Sequence, residues 1–223
     1  MHKWNVFKEF DDASKAAANF LANKIQEVIQ TKGICHVALS GGKSPARCLN
    51  YLSEKPLEWD MVHWYLADER CYPQGHADRN DRMLKENLWS LISPANIHVM
   101  PAELGAEQAA EIYRKVINKI EHIDIAFLGV GEDGHTASLF PGNAALLDMH
   151  SVVPVYDSPK PPSNRVSLSI DSLKKTPCRI VLAGGEGKTS IVSRIKAGES
   201  LPINSLGDID WFVDEAVVPT NSL

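Results

Sequence analysis

The chain has 223 residues, 44% hydrophobic and 23% charged, with a formal net charge of −5. That length suits one large domain with a substantial core, expected here as a single unit over residues 1–223. The negative balance supplies no general field for nucleic acid or anionic lipid, so neither partner is expected. An anionic small molecule would have to be met by a local cluster of basic residues. Four scattered cysteines (Cys35, Cys48, Cys71 and Cys178) with no Cys-x-x-Cys pair argue against a disulfide scaffold or zinc site. No signal-peptide core and no long apolar span occur, so the expectation is a soluble, unprocessed, cytoplasmic protein.

In chain order, a charged amphipathic leader precedes a helix over Asp12–Lys32, where Ala17, Phe20, Leu21, Ile25, Val28 and Ile29 recur at helical spacing before Gly33. Ile34–Leu39 reads as a strand, Ser40-Gly41-Gly42 as a turn, and Ala46–Leu52 as a helix with Pro45 in its first turn. Met61–Ala67 is strand-like and runs into Asp68-Glu69-Arg70. Asn80–Leu91 is helical, Ile97–Met100 a short strand, and Gly105–Glu121 an amphipathic helix. Ile123–Leu128 is an apolar run broken only by Asp124. Ser151–Tyr156 and Val166–Ile170 are strands around a proline-rich loop, and Arg179–Ala183 is a strand before the helix Lys188–Lys196. Alternation of strands and helices predicts an α/β fold, one mainly parallel sheet with helices on both faces.

The most informative stretch is Leu128 to Gly142, which contains Gly129-x-Gly131-x-Asp133-Gly134-His135. Ligands of parallel sheets sit at the carboxyl ends of strands, and a histidine with a carboxylate two residues away is suited to acid/base work there. The glycines match the dinucleotide fingerprint in letters only. That motif needs a helix at once and an acidic residue about 20 positions on, but Pro141-Gly142 follow within eight residues.

Three further loops carry charge. Ser40-Gly41-Gly42-Lys43-Ser44 leads into a helix and offers backbone N–H groups to an anion. It is not a Walker A loop, because the required first glycine falls on Val37; Gly187-Lys188-Thr189 fails the same count at Leu182. Asp68-Glu69-Arg70 is either a surface ion-pair cluster or part of a site, and His76 with Asp78 lacks a third metal ligand. Arg165 follows Pro161-Pro162, placed to fork onto phosphate or to decorate a sheet edge. Ser40 and Ser138 are conceivable nucleophiles, but neither lies in a Gly-x-Ser-x-Gly elbow. His36 and His63 read as core or edge residues, while His2, His98, His122 and His150 carry no constellation.

Taken together and in order from about Ala38 to Asp214, these motifs resemble the 6-phosphogluconolactonase family of the glucosamine/galactosamine-6-phosphate isomerase superfamily. The residues that carry it are Ser40-Gly41-Gly42-x-Ser44-Pro45, Asp68-Glu69-Arg70 with downstream His76-x-Asp78-x-Asn80, and Gly129-x-Gly131-x-Asp133-Gly134-His135-Thr136-Ala137-Ser138-Leu139-Phe140-Pro141-Gly142. Arg165 and Lys188 fall where that family has basic residues. The deaminases of the wider group resemble it less, since they carry Asp-Glu-Tyr where Arg70 ends this triplet. Lys43 and Arg79 depart from the commonest lactonase pattern. The resemblance implies a Rossmann-like fold similar to glucosamine-6-phosphate deaminase, and hydrolysis of 6-phospho-D-glucono-1,5-lactone in the oxidative pentose phosphate pathway without metal or cofactor. It implies His135, Asp133 and Arg70 as catalytic, and Gly41, Gly42, Lys43, Ser44, Asp68, Arg165 and Lys188 as substrate- and phosphate-binding. An amino-sugar phosphate deaminase/isomerase and a catalytically silent sugar-phosphate-binding regulator are the alternatives. Oligomeric state is not decided by the sequence; a monomer is favoured.

Overall fold

The computed structural model describes residues 2–42 and 44–218. Ten strands and seven α-helices follow in order: β1 (Lys3–Phe7), α1 (Phe10–Lys32), β2 (Cys35–Leu39), α2 (Ser44–Ser53), β3 (Val62–Leu66), β4 (Asp68–Arg70), α3 (Asn80–Leu84), α4 (Ser90–Ile92), β5 (Asn96–His98), α5 (Ala106–Ile117), β6 (Ile125–Leu128), β7 (Val152–Val155), β8 (Arg165–Leu168), α6 (Ile170–Lys175), β9 (Cys178–Ala183), α7 (Thr189–Lys196) and β10 (Asp210–Asp214). A fully parallel seven-stranded sheet runs β1-β10-β9-β6-β2-β3-β5. Its central strands are buried on both faces, which is why β6 is an unbroken apolar run. Helix α1 packs on α2 and lies along β10 and β9; α5 packs on a second sheet.

That second sheet is three-stranded and antiparallel, in the order β4-β8-β7. The two stretches predicted as strands around the proline-rich loop belong here. Local periodicity marks a strand but does not choose its partner. The sheets meet at Ala67, the single residue between β3 and β4. It is fully buried; its N–H donates to the Leu39 carbonyl (2.9 Å) and its carbonyl accepts from the Leu168 N–H (2.8 Å).

The α/β expectation holds, with three additions. The leader is a strand, β1, at the sheet edge, and β10 pairs beside it. The helix expected over Asn80–Leu91 is interrupted by a π-turn at Lys85–Trp89. A short helix, α6, follows β8, its N–H groups capped by Ser169, whose hydroxyl accepts from Ser172.

Candidate active site

From β2 the chain moves outward through β3 to β5, then returns to lay β6 on the other side of β2 and continues through β9 to β10. The boundary between β2 and β6 is therefore the point where strand order reverses. The loops leaving these two strands diverge there and open a crevice at the carboxyl ends. A cleft of about 450 Å³ occupies it, lined by the loops after β2, β3, β6 and β9 and by the β4/β8 edge of the small sheet. The Ser40 N–H donates to the Phe127 carbonyl at 2.9 Å, holding the β2 loop to the end of β6.

The β6 loop folds into a cage rather than a helix. The Gly131 N–H donates to the His135 carbonyl (2.8 Å), the Gly134 N–H to the Gly131 carbonyl (3.0 Å), and the Thr136 hydroxyl to the Gly129 carbonyl (3.0 Å). No helix opens at Gly134, so the dinucleotide reading fails on geometry as it did on spacing. Within the cage His135 Nδ1 lies 2.5 Å from Asp133 Oδ1, and the His135 N–H donates to the same oxygen at 3.1 Å. A carboxylate against Nδ1 puts the proton there and leaves Nε2 as the basic nitrogen. Burial drives the His135 pKa below its ordinary 6.5, against the opposing charge of Asp133, so the ring is neutral at physiological pH. Burial would raise Asp133, but its bonds with His135 outweigh this and hold the carboxyl below its usual value. The face of Phe140 packs on the His135 ring (centroids 4.5 Å apart) and lies under the Arg165 guanidinium (5.3 Å).

The remaining wall is cationic. Arg70 and Arg165 stand directly opposite in the β4/β8 register. Arg70 donates to the Asp78 carbonyl through Nη1 (2.7 Å), while its Nε is buried without a partner. Arg165 donates to the carbonyls of Lys160, Pro161 and Pro162. Lys188 donates to the Val130 carbonyl at 2.9 Å, and burial lowers its pKa. Asp68 is buried at the cleft floor, accepting from Ser138 Oγ at 2.6 Å and from Asn80 Nδ2 at 3.2 Å. Asn80 also explains the glycine at position 41: a Cβ there would lie 1.9 Å from Asn80 Oδ1.

The fold thus brings Gly41, Gly42, Ser44, Asp68, Arg70, His135, Arg165 and Lys188 to one cleft. Asp133 stands behind His135, and Lys43 lies outside the described residues. Strand alternation splits the acidic triplet: Asp68 and Arg70 face the cleft, whereas Glu69 points away and is fully buried. Its carboxylate accepts from the N–H groups of Arg70, Asn80 and Asp81, tying β4 to the start of α3. Arg79 is also structural, buried between Asp81 and Glu103. His76 stacks on Tyr72 and accepts from the Asp78 N–H. Ser138 is fully buried and committed to Asp68, and Ser40 lines the cleft with a hydroxyl that meets no base.

Sequence reasoning did not assign Lys160 or Asn80 to the site, although both line the cleft. A lone lysine in a loop carries no local signal, and Asn80 enters only as the last position of the His76-x-Asp78-x-Asn80 motif, with no role attached. Among the described residues no group of three or more His, Cys, Asp or Glu side chains is arranged to hold a metal ion, and no helix is long and apolar enough to cross a membrane. A larger groove of about 930 Å³ lies between the Asn80–Ile92 helical segment and the residues around β5, but it contains no acid–base pair comparable to His135/Asp133.

A histidine braced by a carboxylate lies beside clustered cations at the switch point of a parallel sheet, an α/β arrangement whose chemistry suits acid–base work on a small anion. The chain belongs to the family of glucosamine-6-phosphate isomerases and 6-phosphogluconolactonases, whose model matches residues 8–211. It is 31% identical to the 6-phosphogluconolactonase of Neisseria meningitidis over 92% of this chain and 93% of that one. It is also 31% identical to that of Rattus norvegicus, over 95% and 91%. The crystal structure of 6-phosphogluconolactonase from Thermotoga maritima superposes with a TM-score of 0.90 at 25% identity, covering 96% of this chain and all of that one. A monomeric glucosamine-6-phosphate deaminase shares the fold (TM-score 0.84) at only 17% identity.

Proposed function

We infer that this chain hydrolyses 6-phospho-D-glucono-1,5-lactone to 6-phospho-D-gluconate, the lactone-opening step of the oxidative pentose phosphate pathway. The observation that carries the mechanism is the His135–Asp133 pair at 2.5 Å, which makes Nε2 a neutral base at the cleft. His135 takes a proton from water as its oxygen attacks C1. The C1 carbonyl becomes a tetrahedral oxyanion, stabilised by Arg70 or by N–H groups of the loops. As the C1–O5 bond breaks, the imidazolium returns the proton to the ring oxygen. Asp133 orients the ring and stabilises its charged form. The phosphate is held by the Gly41-Gly42-Lys43-Ser44 turn with Arg165 and Lys188, and Asp68 receives sugar hydroxyls. We take residues 1–223 as one catalytic domain acting as a monomer in the cytoplasm.

The test is hydrolysis of freshly generated lactone, coupled to excess 6-phosphogluconate dehydrogenase and corrected for spontaneous opening, with wild type and His135→Ala side by side. A base of this kind contributes about 10²–10⁴-fold, so kcat falls by at least 10² while KM changes little. Near-normal turnover in the variant removes His135 as the base. Absence of any enzymatic excess in the wild type overturns the activity itself.

A further inference from the structure

One side chain near the cleft sits between opposite charges without belonging to either the base or the anion loop. Ser138 is fully buried. Its hydroxyl donates to Asp68 Oδ2 at 2.6 Å and accepts a long hydrogen bond, 3.5 Å, from Arg165 Nη1. Asp68 and Arg165 are each more than nine-tenths buried, and both line the cleft. Burial pushes the Arg165 pKa down, and the charge of Asp68 acts against it.

A buried carboxylate beside a buried guanidinium has a strong tendency to form a direct two-pronged pair, because the fork of an arginine matches the two carboxylate oxygens. Such a pair would use up the acceptor oxygens that sugar hydroxyls need and the donors that a phosphate needs. A hydroxyl is both donor and acceptor and can serve each partner in turn. Other Arg165 donors are directed to the Lys160, Pro161 and Pro162 carbonyls, which anchors the guanidinium from the opposite side. Asn80 does the same for Asp68, donating through Nδ2 to its carbonyl at 2.8 Å as well as to Oδ1. The carboxylate and the guanidinium are thus each tied back, and the serine fills the gap between them.

We propose that Ser138 is a positioning residue that keeps Asp68 and Arg165 from pairing directly, so that both remain available to substrate. This rests on the cleft being the lactone site. It acts on binding, because His135 and Asp133 are bonded to each other and not to this network.

The experiment compares wild type, Ser138→Ala, Ser138→Cys, Arg165→Ala and the Ser138→Ala/Arg165→Ala double variant. Turnover of the lactone and calorimetric binding of 6-phosphogluconate are measured on each, with Tm alongside. Ser138→Ala raises KM and the product Kd at least tenfold, with kcat at saturation within about threefold of wild type. Ser138→Cys, similar in size with a weaker donor, falls between the two and covers the case in which the alanine variant is poorly folded. In the Arg165→Ala background the serine change costs less than threefold more, since the partner it holds off is gone. Unchanged KM and Kd in both serine variants, a fall in kcat at unchanged KM, or effects that multiply fully in the double variant each overturn the proposal. A wild type that neither turns over lactone nor binds 6-phosphogluconate instead overturns the reading of the cleft, and the proposal with it.

Discussion

Gly131→Ala drives one methyl group into the His135/Asp133 pair. A Cβ at Gly131 would lie 2.0 Å from His135 Nδ1, 2.1 Å from Cε1 and 2.7 Å from Asp133 Oδ1. The Gly131 backbone is not in the left-handed region, so the substitution adds no backbone strain. To reach an ordinary contact of 3.4 Å the ring must retreat by about 1.4 Å along that direction. A displacement of about 1 Å at a reacting centre costs on the order of 10²-fold in rate. The shift also breaks or bends the 2.5 Å bond to Asp133, so the ring loses its fixed tautomer. We therefore expect kcat to fall about 10²–10³-fold, approaching the His135→Ala value. Loss of a charge-assisted hydrogen bond at a partly buried pair costs about 1–2 kcal/mol, or roughly 2–8 °C in Tm for a chain of this size. The assay is the coupled lactonase rate, read with thermal unfolding of the same samples. Turnover within threefold of wild type would refute the reasoning, because the ring would then work from a position 1.4 Å away or would not be the base.

Three other outcomes follow from the same structure. Because the His135 pKa lies below 6.5, the acid limb of kcat/KM lies below about pH 7 and falls tenfold per unit once pH drops through the lowered value; a profile still rising above pH 7.5 contradicts this. His36, His63 and His98 form a partly buried cluster in which His63 Nδ1 lies 3.1 Å from His98 Nε2 and His36 Nδ1 3.0 Å from the Tyr65 hydroxyl, and burial lowers all three pKa values. The unfolded chain therefore binds more protons below about pH 6.5, so their contribution to stability is lost as pH falls from there through the folded values. Urea midpoints from pH 7 to 5 test it: the slope flattens in His63→Asn/His98→Asn, and an unchanged slope sinks the account. Glu69→Gln turns an amide N–H₂ toward one of the three N–H groups the carboxylate now accepts, at about 1–3 kcal/mol, or roughly 2–12 °C in Tm; an unshifted Tm would show that the three bonds add nothing.

Some of this was legible in the residues alone, and the reason is locality. The turn from Gly129 to Gly142 packs histidine, carboxylate and cage into one stretch, so spacing alone exposes it. The loops at Gly41 and Lys188 are likewise read from glycine beside a lysine and a helix start. What stayed hidden depends on partners far along the chain. Lys3–Phe7 mixes exposed and half-buried positions, with none fully buried, as an edge strand can, and looks like a charged leader. The strands β7 and β8 are visible, but their assignment to a second sheet follows from pairing with β4, about 100 residues earlier. His98 shows no constellation in sequence and gains one only through the β3/β5 register. Glu69 looks equivalent to its neighbours until the strand's two faces are assigned. Lys160 reaches the cleft through non-local folding, without a motif of its own, and the motif that holds Asn80 does not reveal that Asn80 meets Asp68.

The two hydrogen bonds of Ala67 have a consequence for what the cleft can admit. One residue's amide is held by the end of β2, where the Gly41-Gly42 turn begins, and its carbonyl holds β8, the strand that carries Arg165. The spacing between these two walls is settled when the chain folds, and they cannot part like jaws without tearing a buried bond. The cleft behaves as a fixed gauge: the joint sets the span between its two walls and leaves the loop tips to yield. Altering which ligand fits is then a matter of changing those tips, while a longer or shorter span would require re-setting the joint itself.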